Sequence, residues 1–149
     1  MSAGEYCNRE VVFVTKSDSI REAVYLMRKH HVGTVVVVEK QNTTPVPVGI
    51  LTDRDIVVEI LAQDIDIDTV SIADVMSFEL VTVAEDTKLL DAVTLMRSKG
   101  IRRLPVVNSD GGLIGILTVD DVIELLAEQV SNIANLVTKE QKQETTLRS

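Results

Sequence analysis

The chain contains the same sequence pattern twice. With an offset of 69, residues 14–38 align with residues 83–107, and eight of the 25 aligned pairs are identical. After a connection that is three residues longer in the first copy, the segment Gly-Ile-Leu-Thr-Asp-Arg-Asp at residues 49–55 aligns with Gly-Ile-Leu-Thr-Val-Asp-Asp at residues 115–121. An internal repeat of this size predicts two equivalent substructures that depend on each other for burial of their apolar surfaces.

Each copy is expected to fold as strand, helix, strand, strand, helix. Short β-branched runs at residues 11–14 and 80–83 precede apolar positions at helical spacing, and Asp18 and Thr87 are the expected helix N-caps. Continuous apolar runs at residues 34–38 and 103–107 predict strands that are buried on both faces in parallel or mixed sheets. The third strand of each copy leads into a second helix that begins at Thr52 or Thr118.

This pattern divides the chain into four segments. Residues 11–62 form repeat 1, residues 63–77 an acidic, solvated linker, residues 78–130 repeat 2, and residues 131–149 a polar C-terminal tail that frays from residue 138. In the linker, Ser71 and Asp74 have the spacing of a capping box.

The linker also contains three alternate aspartates, at positions 64, 66 and 68, which resemble the start of a calcium loop. Such a loop needs glycine at its sixth position and glutamate at its twelfth, where this chain has Thr69 and Val75. The sequence therefore predicts no metal site.

Composition restricts the possible classes of function. The 149 residues carry a net charge of −8, which argues against a general nucleic-acid or membrane-surface partner because those surfaces are themselves anionic. The N-terminus has no apolar signal core, and the single cysteine, Cys7, cannot form an internal disulfide. A cytoplasmic protein with Cys7 in a mobile terminus is expected.

Catalysis is not expected. The two histidines, His30 and His31, lie at a helix end, and the sequence has neither a metal-ligand cluster nor a glycine-rich phosphate loop. No catalytic residue and no required cofactor are predicted.

The repeated Thr-x-x-Asp units have two interpretations. A threonine followed three residues later by an acid is an ordinary capping box, in which both side chains bind backbone amides at a helix start. A carboxylate beside exposed strand ends can also accept hydrogen bonds from a ribose diol, as acids do in dinucleotide-binding folds. The occurrence of the whole strand, Thr-x-x-Asp and helix unit in both copies favours the second interpretation for Asp55 and Asp121.

With these motifs, the chain resembles the CBS-domain family over residues 11–130, and its two copies resemble the tandem arrangement called a Bateman module. The resemblance implies an α/β fold, with one β-α-β-β-α unit per repeat and the two repeats packed about a pseudo-twofold axis. It also implies two clefts for adenosine-containing ligands and association into a homodimer.

The resemblance also assigns residues to the two clefts. In the first cleft Thr52 and Asp55 meet the ribose while Arg102 and Arg103 meet a phosphate, although neighbouring strand positions point to opposite faces. The second cleft combines Thr118 and Asp121 with Gly33 and Thr34 and has no equivalent basic residue. The Asp55 cleft is thus the expected site for a phosphorylated ligand.

The expected function is regulatory. AMP or ATP is the first expectation for the ligand, NAD and S-adenosylmethionine are the others, and occupancy would modulate a separate, unidentified partner protein. The alternative is a ligand-free scaffold for dimerisation or docking, in which the Thr-x-x-Asp units act only as helix caps.

Overall fold

The computed structural model describes residues 1–77 and 80–148 and contains two three-stranded sheets. Residues 78 and 79, at the expected start of repeat 2, and residue 149, the end of the expected tail, lie outside the described residues. In chain order the α-helices and strands are α1 (Ala3–Tyr6), β1 (Phe13–Thr15), α2 (Ile20–His30), β2 (Thr34–Gln41), β3 (Thr44–Thr52), α3 (Asp53–Ile56), α4 (Ile72–Val75), β4 (Val83–Ala84), α5 (Leu89–Lys99), β5 (Arg103–Val107), β6 (Leu113–Thr118) and α6 (Val119–Arg148). A π-helix at Val57–Leu61 continues α3, and a 3-10 helix spans Ile67–Thr69.

The two sheets have the same topology. In the first sheet, β1 is parallel to β2 and β2 is antiparallel to β3; in the second, β4, β5 and β6 repeat this arrangement. The predicted β-α-β-β-α unit and the mixed pairing are confirmed, although the first strands run over Phe13–Thr15 and Val83–Ala84 rather than over residues 11–14 and 80–83. The helices α2 and α5 begin one residue later than expected, since Ser19 and Lys88, rather than Asp18 and Thr87, are the N-cap residues.

Each repeat has its own apolar core. In the first core, alternate valines of β2, Val35 and Val37, pack with Ala23 and Met27 of α2. The second core contains the aligned residues of β5 and α5. Val36 and Val38 are also buried but point to the opposite face of β2, where β3 of the first sheet contacts β6 of the second. Burial of both faces explains the continuous apolar runs in the sequence.

The segments that precede each repeat cross to the other repeat. Residues 2–8 pack on the second sheet, where Ala3 is fully buried and Asn8 forms a bridge with Ile116. Residues 71–77 pack on the first sheet, where Ile72 is fully buried and Ser77 forms a bridge with Ile50. The expectation of a mobile N-terminus is wrong, because the Ala3 and Gly4 amides donate to the carbonyls of Thr87 and Glu85 at 2.8 Å.

The segment expected to be a solvated linker is only partly so. Asp64, Asp66 and Asp68 are exposed, and Asp68 forms an ion pair with Arg21 at 3.2 Å. The alternating apolar residues Ile65 and Ile67 instead pack against the first core.

The C-terminal segment is helical. The helix α6 runs without interruption from Val119 to Arg148, whereas fraying from residue 138 was expected. These 30 residues contain no glycine or proline, and the last turns are rich in lysine, glutamate and glutamine, which favour helix. Across the described residues, no helix has both the length and the apolar character needed to cross a membrane.

Candidate functional site

The two repeated threonines lie at equivalent ends of the two sheets. Thr52 and Thr118 are each the last residue of the third strand, and each hydroxyl accepts a hydrogen bond at 3.1 Å, from the amide of Asp55 and of Asp121 respectively. The strand register places Thr34 beside Thr52 and Arg103 beside Thr118. A polar cluster therefore forms where each third strand enters its helix.

The carboxylates of the two repeated acids are used differently. In the first repeat, Asp55 Oδ2 accepts a hydrogen bond at 2.9 Å from the Thr52 amide, which completes a capping box. In the second repeat, the described hydrogen bonds of residues 1–77 and 80–148 include no corresponding bond from the Thr118 amide to the Asp121 carboxylate. Asp121 lines an open cavity instead. The capping interpretation therefore fits Asp55, and the Asp121 carboxylate remains available to a ligand.

This cavity has a volume of about 240 Å³ and lies between the two repeats. Its polar lining combines Thr118 and Asp121 of the second repeat with Gly33 and Thr34 of the first, as the resemblance implied. The remaining lining residues are Asn8, Glu10, Val11, Val12, Val32, Val36, Arg103 and Ile116. The valines and Ile116 provide aliphatic walls, and the polar residues are concentrated near the strand ends.

Arg103 belongs to this cavity, which corrects one expectation from the sequence. The cleft that contains Asp121 was expected to have no basic residue, yet Arg103 lines it. The reason is the antiparallel register, which sets Arg103 directly opposite Thr118. Arg102 is separated from it, since its guanidinium forms an exposed ion pair with Asp120 at 3.2 Å.

Thr34 is the buried polar group of the cavity. Its hydroxyl oxygen is inaccessible to solvent and has no hydrogen-bond partner among the described residues. A buried hydroxyl without a partner costs about 1–3 kcal/mol of stability. Because the oxygen is buried in this conformation, a ligand in the cavity can supply the missing hydrogen bond only after the Thr34 side chain rotates.

The cavity continues along the first repeat. An adjoining cavity of about 530 Å³ shares five lining residues with it and extends to Phe13, Leu26 and His30. The shared residues, which include Asn8, Glu10 and Val12, were not assigned to the site from the sequence. The sequence contains a weak signal for them. The offset of 69 also aligns Ser2 with Ser71, which extends the repeat upstream of residue 11 into the segment that contains Asn8 and Glu10.

The cleft around Thr52 and Asp55 is described only in part. The position equivalent to Glu10 at the offset of 69 is residue 79, which lies outside the described residues. Gly33, which lines the Asp121 cavity, also contacts the start of α3, because its carbonyl accepts from the Asp53 amide at 2.9 Å. Arg102 takes the equivalent position in the second repeat, and its carbonyl accepts from the Val119 amide at 2.8 Å.

Metal binding has no support in the described part of the chain. It contains no group of three or more histidine, cysteine, aspartate or glutamate side chains that could hold a metal ion.

Comparison with known proteins identifies the family. The family model for the CBS domain matches residues 3–62 and 72–128. The CBS domain-containing protein YhcV of Bacillus subtilis is 41% identical over 123 residues, which cover 83% of this chain and 81% of YhcV.

Two solved structures share the fold. The CBS domain pair of protein MJ0100, in complex with 5′-methylthioadenosine and S-adenosyl-L-methionine, is 25% identical with a TM-score of 0.72, over 85% of this chain and 99% of the other. The cytosolic domain of the Mg²⁺ channel MgtE, in complex with ATP, is 28% identical with a TM-score of 0.70, over 83% of this chain and 48% of the other. With its two family matches and its two β-α-β-β-α units, the chain belongs to the CBS-domain family and carries a tandem pair of CBS domains.

Proposed function

We propose that this CBS pair is a regulatory module that binds an adenosine-containing ligand in the cavity lined by Thr34, Arg103 and Asp121. The observation that carries the proposal is the convergence of three unlike residues in the lining of one cavity: the acidic Asp121, the basic Arg103 and the hydroxyl-bearing Thr34. The ligands of the MJ0100 and MgtE structures all contain an adenosyl group, which supports this class of ligand.

Each part of the ligand has a matching group. Asp121 accepts hydrogen bonds from the ribose hydroxyls, and Arg103 binds a phosphate through charge-assisted hydrogen bonds. Adenine packs between Val12, Val36 and Ile116, which line the same cavity. Aliphatic packing is sufficient for a purine, because burial of apolar area drives binding without aromatic stacking.

The charged residues of the cavity allow the candidate ligands to be ranked by their own charge. One guanidinium, of Arg103, stands against the carboxylates of Glu10 and Asp121. A monophosphate carries a charge of about −1.5 to −2 at pH 7, and a triphosphate adds more negative charge against the same single cation. AMP is therefore the first candidate, before ATP and NAD, and S-adenosylmethionine, whose sulfonium is cationic, is the alternative without a phosphate.

The proposal includes a regulated partner. A ligand can transmit a signal only if it binds two conformations with different affinities. The cavity is lined by both repeats, so a ligand bound there contacts both and can favour one arrangement of the two over another. We propose that this shift in arrangement, in a homodimer, modulates a separate protein in the cytoplasm without turnover of the nucleotide.

A thermal-shift panel tests the ligand. Adenosine, AMP, ADP, ATP, NAD and S-adenosylmethionine are each added to the full chain and unfolding is followed with a dye, since the chain has no tryptophan. At a hundredfold excess over its dissociation constant a ligand adds about 2.7 kcal/mol of stability. That stabilisation corresponds to a rise in Tm of about 5–11 °C for a chain of this size. No shift with any of these ligands would favour the scaffold.

Neighbouring residues provide matched controls for the site. Asp121→Asn should weaken the binding of all adenosine ligands at least tenfold, while Asp120→Asn should leave their affinities within twofold of wild type.

Arg103→Gln should weaken the binding of AMP by about ten- to a hundredfold, which corresponds to the loss of one charge-assisted hydrogen bond, and leave the binding of adenosine unchanged. Arg102→Gln serves as its control. If Asp55→Asn abolishes the shift while Asp121→Asn keeps it, the ligand lies in the other cleft.

A further inference from the structure

The second half of α6 projects from the body of the protein. A helix of 30 residues is about 45 Å long, and only its first turns reach the second core, through Val122 and Leu125. Every residue from Val130 to Leu147 is exposed. An isolated helix is only marginally stable in water, because most helical stability in proteins comes from packing.

The projecting helix carries a regular apolar stripe. Ile123, Leu126, Val130, Ile133 and Val137 follow one another at alternating spacings of three and four residues. Their side chains are 46–65% exposed in the structure. This spacing repeats every seven residues and is that of a coiled-coil seam, where apolar side chains of two helices interlock. The stripe therefore fits another helix with the same repeat.

The residues that flank the stripe do not select a charged partner. The heptad positions that flank the seam from residue 127 to residue 143 hold Ala127, Gln129, Ala134, Leu136, Gln141 and Gln143, none of which is charged. Salt bridges at such positions ordinarily set the choice of partner in a coiled coil. The stripe can thus pair with a second copy of itself without repulsion from its flanks.

The next positions of the seam determine the orientation. The seven-residue repeat continues at Glu140 and Glu144, before Leu147. In a parallel pair each glutamate would lie in one layer with the same glutamate of the second copy, which is unfavourable because like charges repel. In an antiparallel pair centred between residues 131 and 132, Leu126 packs against Val137 of the second copy and Val130 against its Ile133.

Charge along the helix agrees with the antiparallel arrangement. The first half of α6, residues 119–133, carries four acidic residues and no basic one, whereas residues 134–148 carry three basic residues and two acidic ones. Antiparallel pairing places the acidic half of each helix alongside the more basic half of its partner. We propose that α6 forms an antiparallel coiled coil with α6 of a second copy, through the part of the stripe from Leu126 to Val137, while Ile123 lies opposite Glu140 of the second copy at each end.

The mass of the protein in solution tests the pairing. Sedimentation of the full chain should give twice 16.4 kDa, and Val130→Glu with Ile133→Glu should weaken dimerisation at least tenfold. Ser131→Glu with Asn135→Glu adds the same charge on the opposite face of the helix and should leave the dimer intact. A monomeric wild-type chain, or a dimer that is equally strong in the stripe variant, would overturn the proposal.

Disulfide formation tests the orientation. In a Cys7→Ser background, chains with Leu126→Cys are mixed with chains with Val137→Cys and oxidised. Antiparallel pairing predicts a disulfide between the two kinds of chain, and little between two chains with Leu126→Cys. The two Leu126 positions would be about 16 Å apart along the axis at 1.5 Å per residue, too far for a disulfide. A disulfide between identical chains alone would show parallel pairing and overturn the antiparallel assignment.

Discussion

At the scale of single residues, the glycine of the repeated Gly-Ile-Leu-Thr segment is explained by packing. A Cβ atom on Gly115 would lie 2.5 Å from the Cys7 sulfur and 2.8 Å from the Asn8 carbonyl oxygen. A Cβ atom on Gly49 would lie 2.8 Å from the Met76 sulfur and 2.9 Å from the Ser77 carbonyl oxygen. In both repeats the glycine makes room for the segment that crosses from the other repeat.

This close approach predicts the effect of Gly115→Ala. The added methyl should destabilise the protein by about 1–3 kcal/mol, as overpacking in well-packed regions does. Burial raises the pKa of the Cys7 thiol, and the thiol donates a hydrogen bond to the Gly4 carbonyl at 3.5 Å. Displacement of Cys7 should therefore speed its reaction with a disulfide reagent at pH 8, where thiolate is the reacting form.

The equivalent substitution in the first repeat is the control for Gly115→Ala. Gly49→Ala should destabilise the protein to a similar degree, measured by urea unfolding, and leave the reactivity of Cys7 unchanged. Equal thiol reactivity in both variants would contradict the packing explanation.

At the scale of elements, the short helices α1 and α4 are parts of the cores that they enter. The four-residue helix α4 begins with a capping box, in which the Ser71 amide donates to Asp74 Oδ2 at 2.9 Å and the Asp74 amide donates to Ser71 Oγ at 3.3 Å. Such a short helix has few other hydrogen bonds, so its cap contributes much of its local stability. The capping box was predicted from the spacing of Ser71 and Asp74 and is confirmed.

The cap of α4 predicts a dependence of stability on pH. Hydrogen bonds from the Ser71 amide and hydroxyl lower the pKa of Asp74 below its ordinary value. A lowered pKa in the folded state adds stability above the ordinary pKa, and this contribution is lost as the pH falls through the folded value. The urea midpoint of wild type should exceed that of Asp74→Asn at pH 7, and the difference should begin to shrink near about pH 4 and vanish once the pH lies below the lowered folded-state pKa.

Ser71→Ala separates the charge from the cap. This variant loses the hydroxyl that accepts from the Asp74 amide. Its urea midpoint should be lower than that of wild type both at pH 7 and at acidic pH. A difference between wild type and Asp74→Asn that is independent of pH would contradict the role of the charge.

At the scale of the whole molecule, the two repeats are held together by exchange of their leading segments. At least five backbone hydrogen bonds join residues 1–8 to the second repeat, namely those of Ala3, Gly4 and Leu89 and the reciprocal pair between Asn8 and Ile116. The bridges of Ser19 with Ser71 and of Ile50 with Ser77 are the counterparts in the first repeat. A fragment that follows the sequence repeat therefore does not contain a complete core.

The exchange predicts which fragment of the first half folds best. Residues 9–77 include Ile72 and Met76, which complete the first core, whereas residues 1–71 lack both. Burial of these two side chains should make the fragment 9–77 more stable by about 3–6 kcal/mol, at 1.5–3 kcal/mol for each. Urea unfolding followed by circular dichroism measures the difference, and equal midpoints for the two fragments would contradict it.

The sequence alone determined the duplication, the type of nearly every element and the family. These properties can be read from residues that are close together in the chain. Examples are the period of the apolar positions and the three-residue spacing in the capping boxes of Thr52 with Asp55 and of Ser71 with Asp74. Only the tertiary structure decided that Arg103 lines the cavity with Asp121 while Arg102 pairs with Asp120, and that residues 2–8 belong to the second core. Strand register and segment crossing bring together residues that are far apart in sequence, and local patterns carry no record of which distant residue becomes the neighbour.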